Sequence, residues 1–324
     1  MKSLLSDKKE TMRDIFGAKI LELSQKDKRV YAVDGDLANS TKIDIVAHEN
    51  PKKFLQMGIA EQNMLSVCSG LATTGLQPWA VTFAAFLSKR AIDQIQVQIA
   101  QPNLNVKMIG AYSGLLTGLT GKTHQALEDI AIFRTLANMT VLAPADSTEV
   151  EKMMEFANEY DGPVYIRLAR DPYPVIFSDD YQFKVGKAVK LKEGNDVTII
   201  STGTETSRAI EAAESLEKEG VSVAVLHMPT IKPLDKEAII DAAKNTHAIV
   251  TAEEHSIYGG LGSAVAEVLV EEIPVPMQRV GVKDVNAESA PNEELLQKYE
   301  IDSIHIESAV RKVLKKSKQR RQIR

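Results

Sequence analysis

The stretch PWAVTFAAFLSKRAIDQIQVQIAQPNLNVKMIGA, residues 78–111, decides the fold. It opens and closes on short apolar runs, PWAVTF (78–83) and NVKMIGA (105–111). Between them Ile92, Ile95 and Ile99 recur at helical spacing. Short apolar runs alternating with amphipathic segments are the pattern of parallel strands joined by crossover helices. The helix AIDQIQVQIAQPNL then presents its isoleucines either to another subunit or to the core of its own domain.

The same alternation extends outward in both directions. VYAVD (30–34), KFLQMG (53–58), MTVLAPA (139–145) and GPVYIRLA (162–169) bring the expected strands of the first 170 residues to six. After Asp146, Val150, Met153, Met154 and Ala157 form one helical stripe, which reads as core, and Thr148 with Glu151 has the spacing of a capping box. DPYPVIFSDDYQFKVGKAVKLKEGND (171–196) carries prolines, glycines and clustered acids without sustained periodicity, so the domain linker is expected there. Beyond it DVTIIST (196–202), VSVAVLHM (221–228), HAIVTAEE (247–254) and VPMQRVG (275–281) are strand-like. Ala209, Ala212, Ala213 and Leu216 mark an intervening helix, and Ile306, Ala309, Val310 and Val313 mark the last one. The expectation is an α/β protein of two doubly wound sheet domains, residues 1–184 and 185–324.

Composition removes several classes of function. The chain has 324 residues, 44% hydrophobic and 26% charged, with a formal charge of −5 and no domain-wide excess of either sign, so general nucleic-acid binding is not expected. The one basic cluster, Lys315, Lys316, Lys318, Arg320, Arg321 and Arg324, reads as a solvated, fraying helix end. Cys68 stands alone, which rules out an intrachain disulfide and cysteine-rich metal sites and fits a reducing cytoplasm. Charges at Asp7, Lys8, Lys9 and Glu10 interrupt the place of a secretory core, and no apolar run approaches the length of a membrane span.

Candidate chemistry gathers where strands give way to helices. GGLG (259–262) opens a helix but lacks the spacing of a dinucleotide loop and reads as a tight turn. DGD (34–36), with Asn63 downstream, has its glycine in the wrong place for a magnesium-diphosphate motif. Glu61, in GIAEQNM, is either an acid–base group at a ligand-binding sheet edge or a first-turn carboxylate stabilised by the helix dipole. Phe83 and Phe86 in VTFAAF can face a planar ring or simply pack, and His124 lies in a loop too rich in glycine and threonine to be core.

GDLANS, GIAEQNM, TFAAF, KTHQ and the pair Arg167 and Arg170 in YIRLARD follow the order found in the transketolase family, and EEHSIYGGLGSA also looks like that family. The resemblance covers nearly the whole chain and corresponds to the pyrimidine-binding domain followed by the carboxyl-terminal domain. The family's diphosphate-binding domain has no counterpart in the sequence, so the chain looks like one subunit of a split enzyme. The resemblance implies thiamine diphosphate as cofactor, with Mg2+ held mainly by a separate diphosphate-binding partner subunit, and two-fold self-association of the complex. It also implies roles for single residues. Glu61 matches the glutamate that protonates the pyrimidine nitrogen opposite the exocyclic amine. Phe83 and Phe86 match the aromatic shelf beneath that ring, and their apolar surface would help Glu61 keep its proton. Asp36 and Leu37 match cofactor-pocket residues. Arg13, Ser40 and Arg170 match positions that contact the substrate's terminal phosphate, and His124 matches a histidine near the reacting carbons. The sequence departs from the pattern twice: Tyr112 stands in place of a phosphate-contacting histidine, and Thr120 in place of an aspartate that reads a sugar hydroxyl.

The activity so implied is transfer of a two-carbon ketol unit between sugar phosphates by a hetero-oligomer with two copies of each subunit. Thr120 leaves room for an unusual sugar phosphate such as apulose 4-phosphate as the substrate. The same resemblance is compatible with a deoxyxylulose-phosphate-synthase-like reaction and with a subunit that has lost catalysis.

Overall fold

A computed structural model describes residues 3–323 of the chain. Its strands are β1 (Lys9–Thr11), β2 (Val30–Asp34), β3 (Phe54–Gln56), β4 (Gln77–Phe83), β5 (Lys107–Ala111), β6 (Thr140–Leu142), β7 (Val164–Leu168), β8 (Pro172–Pro174), β9 (Val189–Lys192), β10 (Val197–Ser201), β11 (Val223–His227), β12 (Thr230–Lys232), β13 (Ile249–Ser256) and β14 (Met277–Val282). The larger sheet has the order β12-β6-β7-β5-β4-β2-β3, and β2 to β7 all run parallel. Every residue of β4, β5 and β7 is buried, as expected of strands covered by helices on both faces. One face carries Met12–Lys26 and Ser147–Glu159, packed on each other. The other face carries Glu61–Thr73, whose Met64, Leu65 and Cys68 are wholly buried.

The second sheet has the order β14-β13-β10-β11-β9, parallel except for the edge strand β9. Helices Glu205–Lys218 and Ser303–Ile323 pack together, as do Lys236–Thr246 and Leu261–Glu272. Two α/β units with largely parallel sheets are therefore present. They are tied together because β12, from the second half of the chain, adds antiparallel to β6 at the edge of the first sheet. Among the described residues no helix is long and apolar enough to cross a membrane.

Several local expectations need correction. The stripe Val150, Met153, Met154 and Ala157 is wholly buried, but the cap of its helix is Asp146, whose carboxylate accepts from the Glu149 N–H at 2.9 Å. Thr148 instead donates to the Phe177 carbonyl. The expected linker holds two strands: β8 pairs antiparallel with β1, and β9 with β11. Both are short edge segments, where proline and lysine are tolerated and apolar alternation is weak. Ile95 and Ile99 lie in the core, so the isoleucine face is internal, while Val97 of the same segment is half exposed. Lys315, Lys316 and Lys318 are exposed on the last helix, and Arg324 lies outside the described residues.

Candidate active site

The parallel strands of the larger sheet all point their carboxyl ends at one edge, and the chain turns in opposite directions after β2 and β4. In open α/β sheets ligands bind at such an edge, where the strand order reverses. Leu37 follows β2, Glu61 follows β3, Phe83 ends β4 and Phe86 follows it, Tyr112 and His124 follow β5, and Arg170 follows β7.

Glu61 is the first residue of Glu61–Thr73 and is only 3% exposed. It meets a cation where an apolar wall was expected: Arg90 Nη1 donates to Glu61 Oε1 at 2.8 Å. The Arg90 guanidinium lies over Phe86, its carbon 3.7 Å from the ring centroid, while 45% of the Arg90 side chain remains exposed. Phe86 and Arg90 are neighbours because they are spaced by one helical turn. The aromatic group is larger than the expected pair. Phe83 stacks on Tyr112 with centroids 4.3 Å apart and lies 5.5 Å from Phe86, and Leu37 packs against the same cluster. His124 approaches edge-on, 5.4 Å from Phe86 and 5.9 Å from Phe83, with its Nδ1 2.8 Å from the Thr123 hydroxyl.

Two guanidinium groups also lie beside Tyr112. Arg13 Nη1 donates to the Tyr112 hydroxyl at 2.9 Å and to the Ser40 carbonyl at 3.2 Å, while its buried Nε has no partner. Arg170 Nη1 donates to the Thr117 carbonyl at 3.1 Å, and its guanidinium carbon lies 5.3 Å from the Tyr112 centroid. Tyr112 holds this place with a φ of 54°, a left-handed conformation that a non-glycine residue adopts only when its surroundings enforce it. Neither arginine is paired with a carboxylate among the described residues, so the pair forms a cationic recess suited to an anionic group.

The remaining candidates are placed as follows. Asp36 is exposed at the rim with φ 65°, its N–H donating to Gln56 Oε1. Thr120 is exposed at the end of a short turn, its hydroxyl donating to the Thr117 carbonyl. Arg167 lies apart from Arg170 and buried, paired with Asp129 at 2.7 Å. Burial alone would raise the Asp129 carboxyl, yet Arg167 and His255 hold it below its usual range.

The two phosphate-loop look-alikes close on protein groups. The Leu261 and Gly262 N–H groups after the GGLG turn donate to Glu253 at 2.7 and 2.8 Å, and a β-carbon at Gly260 would strike that carboxylate. Asp34 of the DGD accepts from Leu37 N–H and Gln56, and burial pushes its carboxyl up. No cluster of three or more His, Cys, Asp or Glu able to hold a metal occurs among the described residues. Phe83, Phe86 and the buried Glu61 carboxyl are groups of the kind that suit a flat aminopyrimidine, and here Tyr112 stacks on Phe83 while Arg90 lies over Phe86 and bonds Glu61. Sequence reasoning missed Arg90 and the stacking of Tyr112; the one signal for Arg90 was its helical spacing from Phe86.

Residues 8–175 match the pyrimidine-binding domain of transketolase and residues 186–306 match the transketolase C-terminal domain. The chain is 41% identical to a 6-deoxy-6-sulfo-D-fructose transketolase subunit of Clostridium sp. (strain MSTE9), over 93% of this chain and 94% of that one. It is 38% identical to an apulose-4-phosphate transketolase subunit of Phocaeicola vulgatus, over 90% and 93% of the two chains. Among solved structures it resembles a split-gene transketolase, described as an inactive beta4 tetramer, with a TM-score of 0.89 and 45% identity over 95% of this chain and 99% of that one.

Proposed function

Because the chain belongs to the transketolase family, we propose that it is the pyrimidine-binding subunit of a split, thiamine-diphosphate-dependent transketolase that moves a two-carbon ketol unit between sugar phosphates. The observation that carries this reading is convergence at one sheet edge. The buried carboxyl of Glu61, the shelf of Phe83 and Phe86, and the recess of Arg13 and Arg170 serve three different parts of one reaction.

When bound, the cofactor supplies the electron sink that lets a carbon–carbon bond next to a carbonyl break. The protein's own residues do the rest. Phe83 and Phe86 would hold the pyrimidine flat, with Leu37 and Asp36 at its rim. Glu61 would share a proton with a ring nitrogen at the buried edge, a role that requires its Oε atoms to face the ring. Arg13, Arg170, the Ser40 segment and the Tyr112 hydroxyl would grip the anionic end of the sugar, fixing its length against the reacting carbons. His124, held edge-on to Phe86, would contact the sugar near those carbons.

The reading further includes a partner chain that holds the diphosphate and most of the contacts to Mg2+, two copies of each subunit related by two-fold symmetry, a cytoplasmic location, and a division of this chain into residues 1–184 and 185–324. The inactivity of the beta4 relative supports the view that this chain alone is silent. Mixing the chain with its diphosphate-binding partner, Mg2+ and thiamine diphosphate should give ketol transfer that neither chain shows alone. Absence of transfer with every donor offered would refute the assignment.

Tyr112 and Thr120 support a second reading, in which the physiological sugar is an unusual one, and relatives named for a sulfonated sugar and for apulose 4-phosphate point the same way. Comparing apulose 4-phosphate and a sulfonated ketose with ordinary ketose phosphates in that assay separates the two.

A further inference from the structure

The loop of residues 113–125 carries His124 and, through the Thr117 carbonyl, also holds Arg170. Its two ends are closed on each other, because Gly114 and Ala126 exchange both backbone hydrogen bonds at 3.1 Å. Within the loop Gln125 Nε2 donates to the Leu115 carbonyl at 3.2 Å and the His124 N–H to the Gly121 carbonyl at 3.0 Å, and the loop carries three glycines, Gly114, Gly118 and Gly121, all at positive φ.

Further bonds to its middle come from the other half of the chain. Glu254, buried in β13, accepts from the Leu116 N–H at 2.8 Å through Oε1 and from the Thr204 hydroxyl at 2.7 Å through Oε2. The loop is shaped to receive this carboxylate, since a β-carbon at Gly114 would lie 2.2 Å from Glu254 Oε1. Asn292 Nδ2 donates to the Leu116 carbonyl at 3.3 Å, so both backbone polar groups of Leu116 are claimed from across the domain boundary. Ser289 donates to the Leu119 carbonyl at 2.7 Å, and Gln125 of the loop returns a bond to the Glu288 carbonyl at 3.1 Å. The backbone carbonyl of Glu254 is itself held by Arg167, which is locked to Asp129.

We propose that Glu254 is a positioning residue for ketol transfer: from the C-terminal domain it sets the substrate loop, and thereby the places of His124 and Arg170, without touching cofactor or sugar. The inference rests on the transketolase reading of the site. It also gives the C-terminal domain a task in the active site, since no residue of that domain lies within the aromatic shelf or the cationic recess among the described residues.

The test uses the full chain, alone and in complex with the diphosphate-binding subunit, with Glu254→Ala, Glu254→Gln and Asn292→Ala. In the isolated chain, amide hydrogen exchange across residues 113–125 should quicken about tenfold or more in Glu254→Ala, the loss expected when a charge-assisted bond to a buried N–H is removed. Glu254→Gln keeps an acceptor at the same reach and should restore near-native exchange. In the complex, Glu254→Ala should raise KM for the sugar phosphate about tenfold or more while the concentration of thiamine diphosphate giving half-saturation stays put. If Glu254→Ala fails to fold, Asn292→Ala, which cuts the same Leu116 peptide from a half-buried site, should show the same pattern in weaker form. Unchanged loop exchange in the folded variants overturns the inference alone, as does quickened exchange with an unaltered KM. A wild-type complex that transfers no ketol unit overturns the functional reading, and with it the catalytic step of the inference.

Discussion

Glu61 and Arg90 form a 2.8 Å ion pair across 29 residues of sequence, and the same guanidinium lies against the face of Phe86. One exposed cation thus bridges the buried carboxyl proposed to hold the edge of one ring and the aromatic shelf proposed to hold its face.

Removing that bridge should be felt in the isolated chain. Arg90→Ala leaves a buried carboxylate without its partner, while the half-exposed guanidinium means that solvent screens part of the attraction, so a loss of about 1 kcal/mol is expected. Glu61→Gln in the Arg90→Ala background should recover part of it. A double-mutant cycle by urea denaturation measures the coupling, and additive losses would show that the pair carries no energy.

Glu61→Gln should leave the complex with the diphosphate-binding subunit assembled and reduce turnover by roughly 10²-fold to 10⁴-fold, the range for loss of a general acid. Glutamine keeps the size and reach of the side chain and lacks the acidic proton. Had Glu61 served only the dipole of its helix, neutralising it would cost about 0.3–1 kcal/mol of stability and no catalysis. Sedimentation of the complex, together with deuterium exchange at the cofactor's C2 followed by NMR, distinguishes these. Unchanged C2 exchange in the variant would remove Glu61 from the mechanism.

Much of the fold is legible in the amino-acid sequence, and what is not has a physical reason. β4, β5 and β7 announce themselves because a strand covered on both faces must be apolar throughout. β1, β8, β9 and β12 are three or four residues long and lie in the small two-stranded sheet or at sheet edges, where composition says little. Phe83, Phe86 and Glu61 are legible because each sits at a strand-to-helix junction. Arg90 is not, because its meaning depends on Glu61, and Glu254 is not, because its partner Leu116 is 138 residues away. Contacts set by tertiary packing leave no local period to read.

At the anionic recess, Arg170→Ala should raise KM for the sugar phosphate by roughly 10-fold to 100-fold with a smaller change in kcat, since a bond to a charged group made equally in ground and transition states is worth about 1.5–3 kcal/mol. Arg170→Lys should recover only part of this, because an ammonium cannot reproduce a planar fork. Steady-state kinetics on a phosphorylated ketose and on its unphosphorylated counterpart form the check. An equal KM shift for both sugars would mean that Arg170 does not read the anion.

Away from the candidate site, stability should depend on the proton of one buried glutamate. Glu205 opens Glu205–Lys218 and is wholly buried, with Oε1 accepting from Arg208 at 2.8 Å and Oε2 without a partner. Burial pushes its carboxyl up to about 8, with Arg208 opposing and the nearby Glu254 reinforcing the shift. An unfolded glutamate gives up its proton near 4.5, so between about pH 4.5 and pH 8 the folded chain holds a proton that the unfolded chain has released. The stability tied to that proton is fully present below pH 4.5 and is lost as the pH rises through the window to about 8. Glu205→Gln never ionises and should escape the loss, so its stability relative to wild type should improve by on the order of a few kcal/mol between about pH 5 and about pH 8.5. Urea midpoints of the two proteins at both pH values test this. Parallel changes would show that Glu205 is ionised in the folded chain at neutral pH, with Arg208 rather than burial deciding its state.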